Sequence, residues 1–171
     1  MFDIDKKTCI LDHINIRDEK HGDENVLAID LKLHGNFDGD ILAEFWPELR
    51  HSMFKKAEDG DLADQGSDAP TALRFPNLAI PLKFHDEIIG AGVKMAYGIG
   101  EIDLEVCDIN KFAVTCHEGG TVSVAFRIQA KPTGDQLSKL SQMLGTQVDV
   151  SINPPEAPSR LLGSTAGSTE E

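Results

Sequence analysis

Between residues 101 and 129 the chain keeps a two-residue period almost without a break. Ile102, Leu104 and Val106 alternate with Asp103, Glu105 and Cys107; Phe112, Val114 and Cys116 alternate with Ala113, Thr115 and His117; Val122, Val124, Phe126 and Ile128 alternate with Ser123, Ala125, Arg127 and Gln129. Successive side chains leave a strand on opposite faces, so such a run buries one face and wets the other, the pattern of antiparallel strands half covered by a core. Glu118-Gly119-Gly120 is the turn in its middle.

The same period appears on either side. Residues 8–17 read as a first strand, and Leu27, Ile29, Leu31 and Leu33 alternate with Ala28, Asp30, Lys32 and His34 in a second. The polar residues 18–24 between them predict a long hairpin with its tip in solvent. Asp40 is placed to cap a short helix carrying Ile41, Leu42, Phe45, Trp46 and Leu49, which Pro47 keeps irregular by removing an amide donor. Residues 72–76 and 80–84 contain prolines that cannot donate to a central ladder, so they predict short edge strands. Residues 88–97 resume a strand in which Gly90 and Gly92 signal a bulge. Thr133 and Gln136 have capping-box spacing ahead of Leu137, Leu140, Met143 and Leu144; Gly145 closes that helix, and Val148, Val150 and Ile152 form a last strand stopped by Pro154-Pro155.

About eight strands with two short helices predict a mainly β chain, a single-domain antiparallel β-sandwich or partly open barrel over residues 1–155. Residues 57–70 are an acidic loop, and residues 156–171, rich in Ser, Thr, Gly and Ala, are expected to be a disordered polar tail. A length of 171 residues with 40% hydrophobic content suits one core. No apolar run approaches the roughly 18 residues of a membrane span, and Met1-Phe2-Asp3-Ile4-Asp5-Lys6 lacks a signal-peptide layout, so the expected location is cytoplasmic. Cys9, Cys107 and Cys116, odd in number and in strand-like segments, are expected to be free thiols.

The formal net charge is -13, which repels phosphate at long range, but it is uneven. Residues 1–70 carry 8 Lys and Arg against 17 Asp and Glu, whereas residues 71–171 carry 8 against 12. The acidic stretch therefore predicts a protein partner with a basic surface, met through Glu58, Asp59, Asp61, Asp64 and Asp68. The alternative is a single-stranded-DNA-binding or recombination accessory, for which Arg74, Lys83, Lys94, Lys111, Arg127 and Lys131 can line one sheet face with Phe75, Phe84 or Tyr97 as stacking platforms. A third reading is a DNA mimic that occupies the basic site of a host DNA-binding or defence protein. Sheet edges leave room for self-association.

No catalytic set, cofactor or metal is expected. The nucleophile-elbow, phosphate-loop and dinucleotide fingerprints are absent, as is any Cys-x-x-Cys. His13 and His34 would meet across the first hairpin in one register only, and two ligands fall short of a zinc site. Asn36, Asp38 and Asp40 mimic the start of a calcium loop, which fails at Ile41 and Pro47. Asp103 and Glu105 share a strand face, where Lys94 and Lys111 on neighbouring strands are expected to neutralise them.

Over about residues 27–156 the chain resembles a group of proteins encoded by tailed bacteriophages and prophages. The likeness is carried by Thr71-Ala72-Leu73-Arg74-Phe75-Pro76, Tyr97-Gly98-Ile99-Gly100, Glu118-Gly119-Gly120-Thr121-Val122, Phe126-Arg127 and Asn153-Pro154-Pro155-Glu156. It implies a phage accessory protein of an early or recombination region, working in the host cytoplasm; it implies no activity and no functional residues, and the non-enzymatic reading rests on the missing motifs.

Overall fold

The computed structural model describes residues 1–58, 69–78, 80–98 and 100–156. The chain is mainly β, as the alternation requires. Its strands are β1 (Ile4–His21), β2 (Glu24–Asp38), β3 (Phe54–Lys55), β4 (Ala72–Leu73), β5 (Leu82–Lys83), β6 (Ile88–Tyr97), β7 (Gly100–Cys116), β8 (Thr121–Ala130) and β9 (Gln147–Asn153). A 3-10 helix, Gly39–Glu44, and two α-helices, α1 (Leu49–Met53) and α2 (Gly134–Met143), complete the described elements.

Every pairing is antiparallel, and six strands close into a ring in the order β1, β2, β8, β7, β6, β9 and back to β1, with β5 added on the outer side of β7. Of the two architectures the sequence allows, the pairing is that of a barrel. Closure depends on two long strands that change partners along their length. β7 pairs β6 from Gly100 to Ile109 and β8 from Asp108 to Cys116; β1 pairs β9 from Ile4 to Ile10 and β2 from Cys9 to His21. Bulges bend these strands, both within a ladder and beside the change of partner. Lys6, Val106 and Lys111 lie at the register shifts with φ of 46°, 55° and 56°. The anticipated bulge in β6 is also there, with Gly90 at φ 77° and its N–H on Asp108 Oδ1 at 3.2 Å.

The inward residues fill the ring, so the barrel is packed rather than hollow. Leu31, Leu33, Val93, Met95, Ile109, Val124, Ile128 and Val150 are buried. Phe2 meets Phe37, Phe45, Phe112 and Phe126 with ring centres 5.2 to 6.1 Å apart. The capping box of α2 forms as its spacing requires, Thr133 Oγ1 accepting from Gln136 N–H and Gln136 Oε1 from Thr133 N–H, and the helix delivers Leu140 and Met143 to the core. Among the described residues no helix is long and apolar enough to cross a membrane.

Several expectations need correction. The long hairpin with its exposed tip is there, but its strands run beyond the expected residues 8–17 and 27–33: β1 and β2 pair as far as His21 opposite Glu24, because Gly22 at φ 66° permits a two-residue turn. Residues 100–116 are one strand, so Lys111 lies on the same strand as Asp103 and Glu105. Asp103 takes Lys94, its cross-strand neighbour, at 3.8 Å. Asp40 does not cap a helix; it pairs with Arg50, and the segment is split at Pro47 into the 3-10 helix and α1. Of the tail expected over residues 156–171, all but residue 156 lies outside the described residues.

Candidate functional site

Ladder register assembles a polar surface on the outside of the barrel across β1, β2, β8 and β7. One row reads Asn15, Asp30, Gln129, Asp108; the next reads His13, Lys32, Arg127, Asn110; a third runs from His34 through Ala125 and Ala113 to Lys83 on β5. These residues alternate with buried Leu31, Leu33, Phe126 and Ile128, which turns them outward. Ala113 and Ala125 keep the floor low while longer side chains rise around it. The result is a groove of about 910 Å³ with Lys32, Lys83, Lys111 and Arg127 on its walls and Phe84, His85, Asp86 and Glu87 along one side.

Asn110 organises the lower end. Its Nδ2 donates to Glu87 Oε1 at 2.8 Å and to Gln129 Oε1 at 3.1 Å, and its Oδ1 accepts from Arg127 Nε at 2.9 Å. Arg127 Nη2 also donates to Gln129 Oε1, at 3.2 Å. Neutral amides thus aim the Arg127 guanidinium and leave its charge uncompensated. Asp30, by contrast, is fully engaged: Arg17 donates to both of its oxygens at 3.0 Å, Gln129 Nε2 donates at 3.0 Å and Asn15 at 3.5 Å. Burial pushes the Asp30 carboxyl up, and these donors together outweigh it, so the group sits below its ordinary range. Arg17 is raised, first by its bonds to Asp30.

Among the described residues, Lys32, Lys83, Lys111 and Arg127 make no ion pair, whereas Arg17, Arg50, Lys55, Lys94 and Lys131 do. Four cations without an ion pair thus line one groove of a strongly acidic chain; Lys6, Lys7, Lys20, Arg74 and Lys139, which also make none, lie elsewhere. Phe84 adds a half-buried ring, stacked on Phe45 at 4.7 Å.

Lys83, Lys111 and Arg127, named from the sequence, come together here, and the other three candidates do not. Arg74 Nε donates to the carbonyls of His51 and Phe54, Lys94 faces Asp103 on the β6–β7 side, and Lys131 Nζ lies 2.8 Å from His21 Nε2. Phe75 and Tyr97 are exposed but do not line the groove. Lys32, Asn15 and Asn110 were not singled out in the sequence, and His13 was weighed only as a metal ligand with His34; their polar-phase positions in the alternation were the available signal, and only register selects them. Of the acidic candidates, Glu58 is exposed and 3.7 Å from Lys55, while Asp59, Asp61, Asp64 and Asp68 lie outside the described residues.

The arrangement offers little for covalent chemistry. Ser123 Oγ gives its proton to Asn36 Oδ1 at 2.7 Å, so the 2.8 Å contact with His117 Nε2 runs from the imidazole to the hydroxyl, the wrong direction for a general base. His13 and His34 are not opposed: their ladder partners are Lys32 and Ile10, and His34 Nδ1 contacts Asp12 Oδ2 at 2.6 Å. Asn36 and Asp40 are likewise held by Ser123 and Arg50. Among the described residues no three His, Cys, Asp or Glu side chains converge as a metal site. Cys9 and Cys107 are buried free thiols, both pushed up to about 12 by burial, with smaller contributions from nearby carboxylates; Cys116 is raised by burial.

Comparison with protein-family models, curated proteins and solved structures finds no match to this chain.

Proposed function

We propose that this protein is a non-enzymatic binding domain that holds a single strand of nucleic acid in the groove of β1, β2, β8 and β7. The observation that carries the reading is the gathering of Lys32, Lys83, Lys111 and Arg127, without ion pairs, around a floor of alanines. Cations left uncompensated amid a net charge of -13 are suited to an anionic ligand. A flexible strand can lay its phosphates along the walls and a base near Phe84, whereas a duplex would press its second strand against the surrounding acidic surface. With the likeness to phage-encoded proteins, the reading becomes that of a recombination accessory.

Fluorescence anisotropy of a labelled single-stranded oligonucleotide tests this. Four phosphate contacts give a slope of log K against log salt of about -2.8, so a fourfold rise in salt weakens binding about fiftyfold. Lys83→Ala with Lys111→Ala, both exposed, should roughly halve the slope at unchanged thermal stability. Absence of binding, or equal binding by the double variant, refutes the reading.

The charge of residues 1–70, 17 acidic against 8 basic, supports a second reading in which that part meets a basic protein partner. Changing Glu58, Asp59, Asp61 and Asp64 to their amides would then slow capture of the partner most at low salt, and leave oligonucleotide binding intact.

A further inference from the structure

The groove holds carboxylates that a phosphate strand alone does not call for. Asp86 and Glu87 stand exposed on its wall and make no ion pair among the described residues. Glu87 is tied to Arg127 through a single side chain: Asn110 Nδ2 donates to Glu87 Oε1 at 2.8 Å, and Asn110 Oδ1 accepts from Arg127 Nε at 2.9 Å. A cation and an anion are thus held one amide apart, and neither neutralises the other.

Each keeps a two-pronged edge for a ligand. Arg127 rests its Nε–Nη2 edge on Asn110 Oδ1 and Gln129 Oε1, so its Nη1–Nη2 end offers two parallel N–H donors. Glu87 has only Oε1 engaged, so its carboxylate accepts at Oε2 and at the second lone pair of Oε1. A ligand that meets both needs two adjacent acceptors and two adjacent donors on one rigid body. Phosphate has the acceptors but is repelled by Glu87. Among the bases guanine has both sets, O6 with N7 and N1–H with N2–H. Cytosine pairs its two acceptors with a single donor group, and in adenine and thymine donors and acceptors alternate.

We propose that the set of Arg127, Asn110 and Glu87 makes the groove selective for guanine, an inference that rests on the strand-binding reading above. Arg127 donates to O6 and N7, Glu87 accepts from N1 and N2, and Lys32, Lys83 and Lys111 keep the phosphates. On a strand without guanine Arg127 meets a phosphate as the fourth contact. With guanine three remain, so the slope of log K against log salt changes from about -2.8 to about -2.1 and the preference grows with salt.

Fluorescence anisotropy of labelled oligothymidylate, and of the same strand with one central guanine, inosine, 7-deazaguanine or cytosine, tests the assignment. Guanine should tighten binding about tenfold or more. Inosine, which lacks the N2 amino group, and 7-deazaguanine, which lacks the N7 acceptor, should each give back about fivefold. Glu87→Gln keeps an oxygen for Asn110 and turns an NH2 group toward the base's donors. That variant should bind guanine and inosine alike while holding oligothymidylate at least as tightly as wild type, with thermal melts to verify the fold. Equal affinity for the guanine and thymine strands, a preference for cytosine over guanine, or a Glu87→Gln protein that still separates guanine from inosine overturns the selectivity and leaves strand binding standing; no binding of any strand refutes both.

Discussion

Replacing Val106 by glycine should make the protein more stable. In β7, Leu104 faces Val93 and Cys107 faces Ala91, so Glu105 and Val106 together oppose Gly92, and the bulge is accommodated by Val106 at φ 55°. An L-residue in that region costs about 1–2 kcal/mol, with β-branched side chains the least suited to it. The side chain recovers almost nothing by packing, being 77% exposed. Glycine removes the strain and adds about 0.5–1 kcal/mol of unfolded-chain entropy to be overcome, leaving a net gain of about 0.5–1 kcal/mol. For a chain of this size each kcal/mol moves the melting temperature by about 2–4 °C, so a rise of about 1–4 °C is expected. Thermal melts and urea titrations of wild type, Val106→Ala and Val106→Gly would show it, with m unchanged and alanine between the two. A glycine variant that melts below wild type would refute the assignment of strain to this bulge.

The thiols and Asp30 supply two further tests. With pKa values pushed up to about 12, Cys9 and Cys107 should resist a thiol reagent in the native protein at pH 8, where the thiolate fraction is about 10⁻⁴, and all three cysteines should react once the chain is unfolded; rapid native labelling of two thiols would contradict the packing. Asp30→Asn should destabilise the protein at neutral pH. Because the folded carboxyl lies below its unfolded value of 3.8, the wild-type advantage is complete above that value and fades as pH falls through the depressed folded pKa, so melts of the two proteins should converge in acid. A constant gap down to the lowest pH would show that the loss comes from something other than the carboxylate.

Much of the architecture was legible because it is local. The alternation of residues 122–129, the bulge at Gly90 and the box of Thr133 with Gln136 are each decided by atoms a few residues apart, and the chain uses them as written. Where local reading failed, a neighbour in space had decided. Lys111 belongs to the same strand as Asp103 because β7 continues past its bulges to reach β8, and Asp40 left its cap for Arg50.

The candidate groove was half legible for the same reason. Composition and phase put Lys83, Lys111 and Arg127 on the polar side of their strands, as they did Arg74, Lys94 and Lys131, but phase does not say which strands lie side by side. Only the closed ladder brings Lys32 of β2 next to Arg127 of β8 and Asn110 of β7, and gives Lys94 to Asp103 instead. Strand periodicity is a property of one segment and is written in its residues, whereas register is a property of pairs of segments far apart in the chain, settled by the free energy of the whole barrel.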